Sequence, residues 1–112
     1  MLKIELEQKD GRCCCRAFQR TQELGSVRLE REGDCVRFLA ASLEDPEDYG
    51  LLDGLVRAGL DAARSDGARY YLIPGEAAGD WLRGFETYDY SIDVPEELER
   101  FFSRHSCKGM SN

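Results

Sequence analysis

The residues able to do chemistry fall into three groups. The first is thiol: Cys13-Cys14-Cys15 stand in a row, with Cys35 on a later segment and the single histidine, His105, just ahead of Cys107. Thiolates and imidazole are the ligands of structural zinc, and a thiolate beside an imidazole is the pairing of a cysteine nucleophile. Zinc sites favour Cys-x-x-Cys spacing, however, and consecutive strand residues diverge: Cys13 and Cys15 share one face while Cys14 takes the other. A buried cysteine packs as a small apolar residue. The spacing therefore favours packing, His105 reads as solvated, and no metal ligand and no catalytic residue is assigned. The second group is acidic. Glu44, Asp45, Glu47 and Asp48 crowd one turn, Asp53 follows, and no Lys or Arg lies between Arg37 and Arg57. Carboxylates ahead of a helix complement its dipole, which is favoured here over a cation or basic-partner site. The third group is Glu76 and Asp80, a carboxylate pair of the kind acid–base catalysis uses. In a loop without a pocket such a pair reads as surface.

These residues must be positioned by a short chain. With 112 residues and a net charge of −7, the sequence describes one domain spanning 1–112. The acidity argues against a nucleic-acid or anionic-membrane partner. No apolar run reaches the roughly 18 residues a membrane helix needs, and MLKIELEQKD lacks the apolar core of a signal peptide. The cytosol, with reduced thiols, is the expected compartment. Leu2, Ile4 and Leu6 alternate with Lys3, Glu5 and Glu7 as in a half-buried strand. Lys9-Asp10-Gly11 turns the chain into a second strand over Cys13–Phe18. Val27–Glu30 and Cys35–Leu43 form a further pair. In the latter, Phe38-Leu39-Ala40-Ala41 is apolar on both faces, which predicts a central strand. A helix over Gly50–Ser65 carries Leu52, Leu55, Val56, Gly59, Leu60 and Ala63 as a core stripe, with Asp53, Arg57 and Asp61 on its solvated face. Tyr70–Ile73 is a short buried strand, parallel to Cys35–Leu43 through a right-handed crossover, its two tyrosines split between the sheet faces. The period-two row Tyr88, Tyr90, Ile92 and Val94 predicts one more strand over Glu86–Val94. Pro95, preceded by Asp93, predicts the start of a last helix docked by Leu98, Phe101 and Phe102, with a frayed tail.

The unit from Val36 to Ile73, strand, turn with Gly50, helix, Gly67-Ala68 and strand, resembles the cofactor-binding motif of the GNAT superfamily of acetyl-CoA-dependent N-acetyltransferases. The resemblance implies an α/β fold with a mixed, mostly antiparallel sheet of about six strands, one main crossover helix and a C-terminal helix. It also implies that Leu43, Tyr49, Gly50, Leu51 and Leu52 occupy the acyl-CoA loop. In that family the loop follows the pattern Arg/Gln-x-x-Gly-x-Gly/Ala. Here Glu47 stands at the basic position and Leu52 at the second small one. Trp81-Leu82-Arg83-Gly84-Phe85 resembles the family's closing Tyr-x-x-x-Gly-Phe segment, with Asp80 where the family often has its general-acid tyrosine. The helices that shape the family's acceptor pocket are replaced by the turn Gln8–Arg12. The expectation is a GNAT-like protein without acetyl transfer and without a cofactor, acting as a binding or oligomerising module with a second copy or another protein as partner. A minimal N-acetyltransferase holding acetyl-CoA by its pantetheine arm is the first alternative. A small thiol or metal-binding protein is the second.

Overall fold

Two tight turns set up the first half of the chain. In a computed structural model, which describes residues 2–110 and side chains through Arg104, β1 (Leu2–Lys9) and β2 (Arg12–Gln19) are joined by Asp10-Gly11. Both turn residues have positive φ, 52° and 79°, as a two-residue hairpin turn of matching twist requires. β3 (Gln22–Glu32) and β4 (Cys35–Leu43) follow, turning at Gly33. Helix α1 (Tyr49–Ser65) crosses over to β5 (Tyr70–Leu72), which is parallel to β4. Short helices α2 (Gly75–Ala78) and α3 (Leu82–Thr87), strand β6 (Glu96–Glu97) and helix α4 (Leu98–Met110) complete the chain. The sheet order is β1-β2-β3-β4-β5-β6, antiparallel apart from the β4–β5 pair.

The core lies between one sheet face and the helices. Leu52, Leu55, Val56 and Leu60 of α1 pack on Cys15 and Ala17 of β2, Val27 and Leu29 of β3, and Val36 and Phe38 of β4, all buried. At Gly59 the helix approaches the sheet so closely that a Cβ would sit 2.4 Å from Leu29 Cδ1 and 3.0 Å from Cys15 Sγ. Beyond β4 the core becomes aromatic. Phe38, Phe85, Tyr90, Phe101 and Tyr71 form a chain of mostly edge-on rings with centroids 4.8–5.2 Å apart. Leu98 and Phe101 anchor α4 as the apolar spacing predicts, while Phe102 is half-buried beneath the Arg64 guanidinium, 4.2 Å from its ring centroid.

Five expectations change. β1 is exposed throughout, with Leu2, Ile4 and Leu6 on the face that carries α1 but left uncovered by it. β4 is an inner strand between β3 and β5, as its apolar run predicts, but the run does not mark burial on both faces. Leu29 pairs with Phe38 and Arg28 with Ala40, so Leu39 is an extra residue in the strand. This bulge flips the alternation and turns Ala41 and Leu43 toward the core that Val36 and Phe38 already face. Glu86–Val94 is not a strand: α3 runs through Thr87, and Asp89 and Asp93 adopt φ of 64° and 66°, which breaks the period-two row. Tyr90 is buried in the aromatic chain while Val94 is 55% exposed. Pro95 precedes β6, a two-residue strand on β5, and is not at the start of α4. The tail expected to fray continues α4 through Met110, and Ser111 and Asn112 lie outside the described residues.

Candidate functional site

The start of α1 is where this fold can present backbone N–H groups to an anion. Its own sequence occupies three of them, on Tyr49, Leu51 and Leu52. The Asp48 carboxylate accepts from Leu51 N–H at 3.1 Å, and the Asp48 carbonyl accepts from Leu51 and Leu52 N–H at 3.1 and 3.2 Å. Upstream, Asp45 Oδ1 accepts from Glu47 N–H at 3.0 Å, and the Glu47 carbonyl accepts from Tyr49 N–H at 2.9 Å. An aspartate cap of this kind satisfies a donor that would otherwise face water or a ligand. Among the described residues none of Glu44, Asp45, Glu47 and Asp48 forms an ion pair, so the turn presents negative charge to solvent. Asp53 plays another part: its carboxylate receives the Tyr90 hydroxyl at 2.8 Å and Arg57 Nε at 3.1 Å, tying α1 to the irregular segment.

The five loop positions separate on inspection. Gly50 is exposed, Leu43, Tyr49 and Leu51 are half-buried, and Leu52 is 1% exposed in the core. Leu52 Cδ2 lies 3.0 Å, and Tyr49 Cδ1 2.8 Å, from where a Cβ on Gly84 would stand, so α3 is pressed against this first turn. Asp80 and Glu76 are both exposed, on separate short turns. The hydroxyl the structure brings to the loop belongs instead to Tyr88, whose Oη is 3.4 Å from an ideal Gly50 Cβ. It was missed because Tyr88 sits in the segment whose alternation mimics a strand. No local pattern signals that placement.

Next to this loop the parallel strands part. β4 and β5 pair over three positions, Cys35–Tyr70 to Arg37–Leu72, and β4 then runs on through Leu43 without β5 beside it. Helix α2 and the buried Phe85 of α3 approach that free stretch.

The thiols lie elsewhere. Cys13 Sγ is 3.7 Å from Cys15 Sγ on the α1 side of β2, and Cys14 faces the other way. The hydrogen bond with Cys15, together with a smaller one from Gln8, outweighs burial and lowers the Cys13 thiol to about 7; the same bond and burial push Cys15 far up. Cys35 is also raised, chiefly by burial. Cys13 opens on a cleft of about 190 Å³ between the β1–β2 turn and the last turns of α1, lined also by Lys9, Arg12, Arg31 and Asp66. Among the described residues no three His, Cys, Asp or Glu side chains gather closely enough to hold a metal ion. His105 and Cys107 lie outside the described side chains.

A polar clamp closes the far edge of the sheet. Glu96 receives hydrogen bonds from the Tyr71 hydroxyl, Ser91 Oγ and Arg104, and Arg104 also donates to the Asp89 carbonyl. Burial pushes the Tyr71 hydroxyl up to about 12, aided by the bond to Glu96. For Glu96 burial acts upward most strongly, but the bonds from Arg104, Tyr71 and Ser91 together hold the carboxyl below its ordinary value.

No protein-family model matches the sequence, and no curated protein does. Solved structures do match. An IAA acetyltransferase from Bacillus cereus superposes with a TM-score of 0.60 at 13% identity, over 78% of this chain and 75% of that one. An acetyltransferase from Bacillus subtilis, in complex with CoA, gives 0.60 at 16% identity over 78% and 74%. The PaiA N-acetyltransferase of Thermoplasma acidophilum, in complex with coenzyme A, gives 0.55 at 10% identity, over 69% of this chain and 50% of that one. The chain therefore has the GNAT, or acyl-CoA N-acyltransferase, fold. At these identities the likeness defines the scaffold, and activity is argued from the site. No helix among the described residues is long and apolar enough to cross a membrane.

Proposed function

We propose that the protein uses the GNAT scaffold without acetyl transfer, as a binding or oligomerising module. The observation that carries this reading is the cap on α1: the N–H groups of Tyr49, Leu51 and Leu52 are held by Glu47 and Asp48, in a turn with four uncompensated carboxylates. A pyrophosphate entering there would displace an intramolecular cap and meet like charge, which disfavours a complex. Leu52 supports the same reading, because its side chain belongs to the core and leaves no small position for close phosphate approach.

The test is calorimetric titration with acetyl-CoA. A dissociation constant weaker than roughly 10 μM, equivalent to about 7 kcal/mol, is expected. Tighter binding overturns the proposal. One observation favours a second reading, a minimal N-acetyltransferase: β4 outruns β5 after three pairs, which is where the scaffold would take a pantetheine arm. Acetyl transfer to amines, followed by chromatography of the CoA released, tests that reading directly.

A further inference from the structure

Among the described residues β1 is an open edge whose only guard is its charged row, Lys3, Glu5, Glu7 and Lys9. Its pairing with β2 runs unbroken from Leu2 to Lys9, with no proline, glycine or bulge, and its other side carries free backbone donors and acceptors. Leu2, Ile4 and Leu6 are 51%, 37% and 43% exposed, and they share the α1 face with buried Cys15 and Ala17. An apolar row therefore continues the core outward and stops at water.

We propose that this edge pairs antiparallel with β1 of a second copy, about a two-fold axis at Ile4, joining two sheets into one. This names the partner of the module proposed above and rests on that reading. The charge pattern selects both the partner and the register. Opposed residues in antiparallel strands point to the same face, so the apolar rows align only when even positions oppose even positions. An axis at Lys3, Glu5 or Glu7 sets a charge against itself. An axis at Leu6 opposes Glu5 to Glu7 and Lys3 to Lys9. An axis at Gln8 leaves Leu2 and Ile4 outside the pairing. The axis at Ile4 opposes Leu2 to Leu6, Ile4 to Ile4 and Lys3 to Glu5, each twice or on the axis, with no like charges. Lys3 and Glu5 pair at 3.3 Å within one chain, and with side chains 69% and 54% accessible each has room to add a partner across the axis.

The test is sedimentation equilibrium of the full chain across concentrations, with Lys3→Glu and Glu5→Lys made singly. Each change alone places two like-charge pairs across the axis and should weaken the dimer roughly tenfold or more. Mixing the two single variants opposes each introduced charge to its complement, so a heterodimer of wild-type strength should form. A contact within one chain cannot produce that rescue. Wild-type protein that is monomeric at about 200 μM, single variants that dimerise like wild type, or a mixture that stays monomeric would each overturn the proposal. Acetyl-CoA titration of the same samples separates it from the reading it rests on. A monomer that ignores acetyl-CoA refutes the pairing alone, and a dimer that binds it refutes the proposed function alone.

Discussion

Returning Leu52 to the small residue of the acetyltransferase loop should damage the fold before it creates a cofactor site. The side chain is 1% exposed and packs among Leu55, Val56 and the inner sheet face, with Cδ2 against Gly84 of α3. Truncating a buried leucine to alanine costs about 2–5 kcal/mol, the spread reflecting how far the surroundings collapse. Collapse is limited here, because Gly84 offers no side chain to fill the space and the first turn is pinned by the Asp48 cap. Going on to glycine adds about 1 kcal/mol of helix propensity. Leu52→Gly should therefore lose roughly 3–6 kcal/mol, a large part of the 5–15 kcal/mol a domain usually has. Urea denaturation followed by circular dichroism measures this, with the midpoint falling and the slope unchanged. A loss below about 1 kcal/mol would refute the assignment of Leu52 to the core. So would a stable variant that gains acetyl-CoA affinity, because the small residue would then be acting in the loop.

Two further outcomes follow from the far edge of the sheet. Phe101→Ala should cost about 3–5 kcal/mol in the same assay, because its ring is fully buried and touches Tyr71 and Tyr90; a loss under about 1 kcal/mol would mean that α4 is not docked. Tyr71, raised from 10 to about 12, holds its proton more tightly in the folded state, so the stability it contributes is present below pH 10 and is lost as pH rises toward about 12. Thermal melts from pH 9 to 12 should show that loss, and it should be shallower in Tyr71→Phe; an unchanged slope would refute the role of the phenol.

The half of the fold legible in the sequence is the half built on periodic patterns. The α1 stripe, the β3–β4 pair, the crossover to Tyr70–Leu72 and the docking of Leu98 and Phe101 each follow from spacing that one buried face imposes. The segment from Glu86 to Val94 was not legible, because its order comes from contacts distant in sequence. Tyr90 alternates with Tyr88 and Ile92 as in a strand, but it is held by Asp53, Phe85 and Phe101, and Asp93 turns to accept from Gly75 N–H. The exposure of β1 was hidden for a similar reason. Alternation reports which face is apolar, and coverage depends on how far a helix elsewhere in the chain extends. At the loop, the charge excess and the misfit of Leu52 could be read from residue types. The Asp48 cap needed the geometry, and so did the approach of Tyr88.

The two halves of the candidate cofactor site differ in what maintains them. The gap beside β4 is a product of topology: a parallel strand that ends after three pairs, and a bulge at Leu39 that keeps Ala41 and Leu43 facing inward. Both features serve the core, because the crossover seats α1 on the sheet and the bulge turns Ala41 and Leu43 inward. The phosphate half depends on single residues that the fold does not need to be basic or small. A carboxylate cap at Asp48 and a leucine at position 52 each add stability that a phosphate-binding loop forgoes. On the proposed reading, a scaffold released from binding pyrophosphate drifts toward such self-capping at the loop while its gap persists. A shape resembling an acyl-CoA groove is then weak evidence of activity, and the helix N-terminus is where activity and its loss can be told apart.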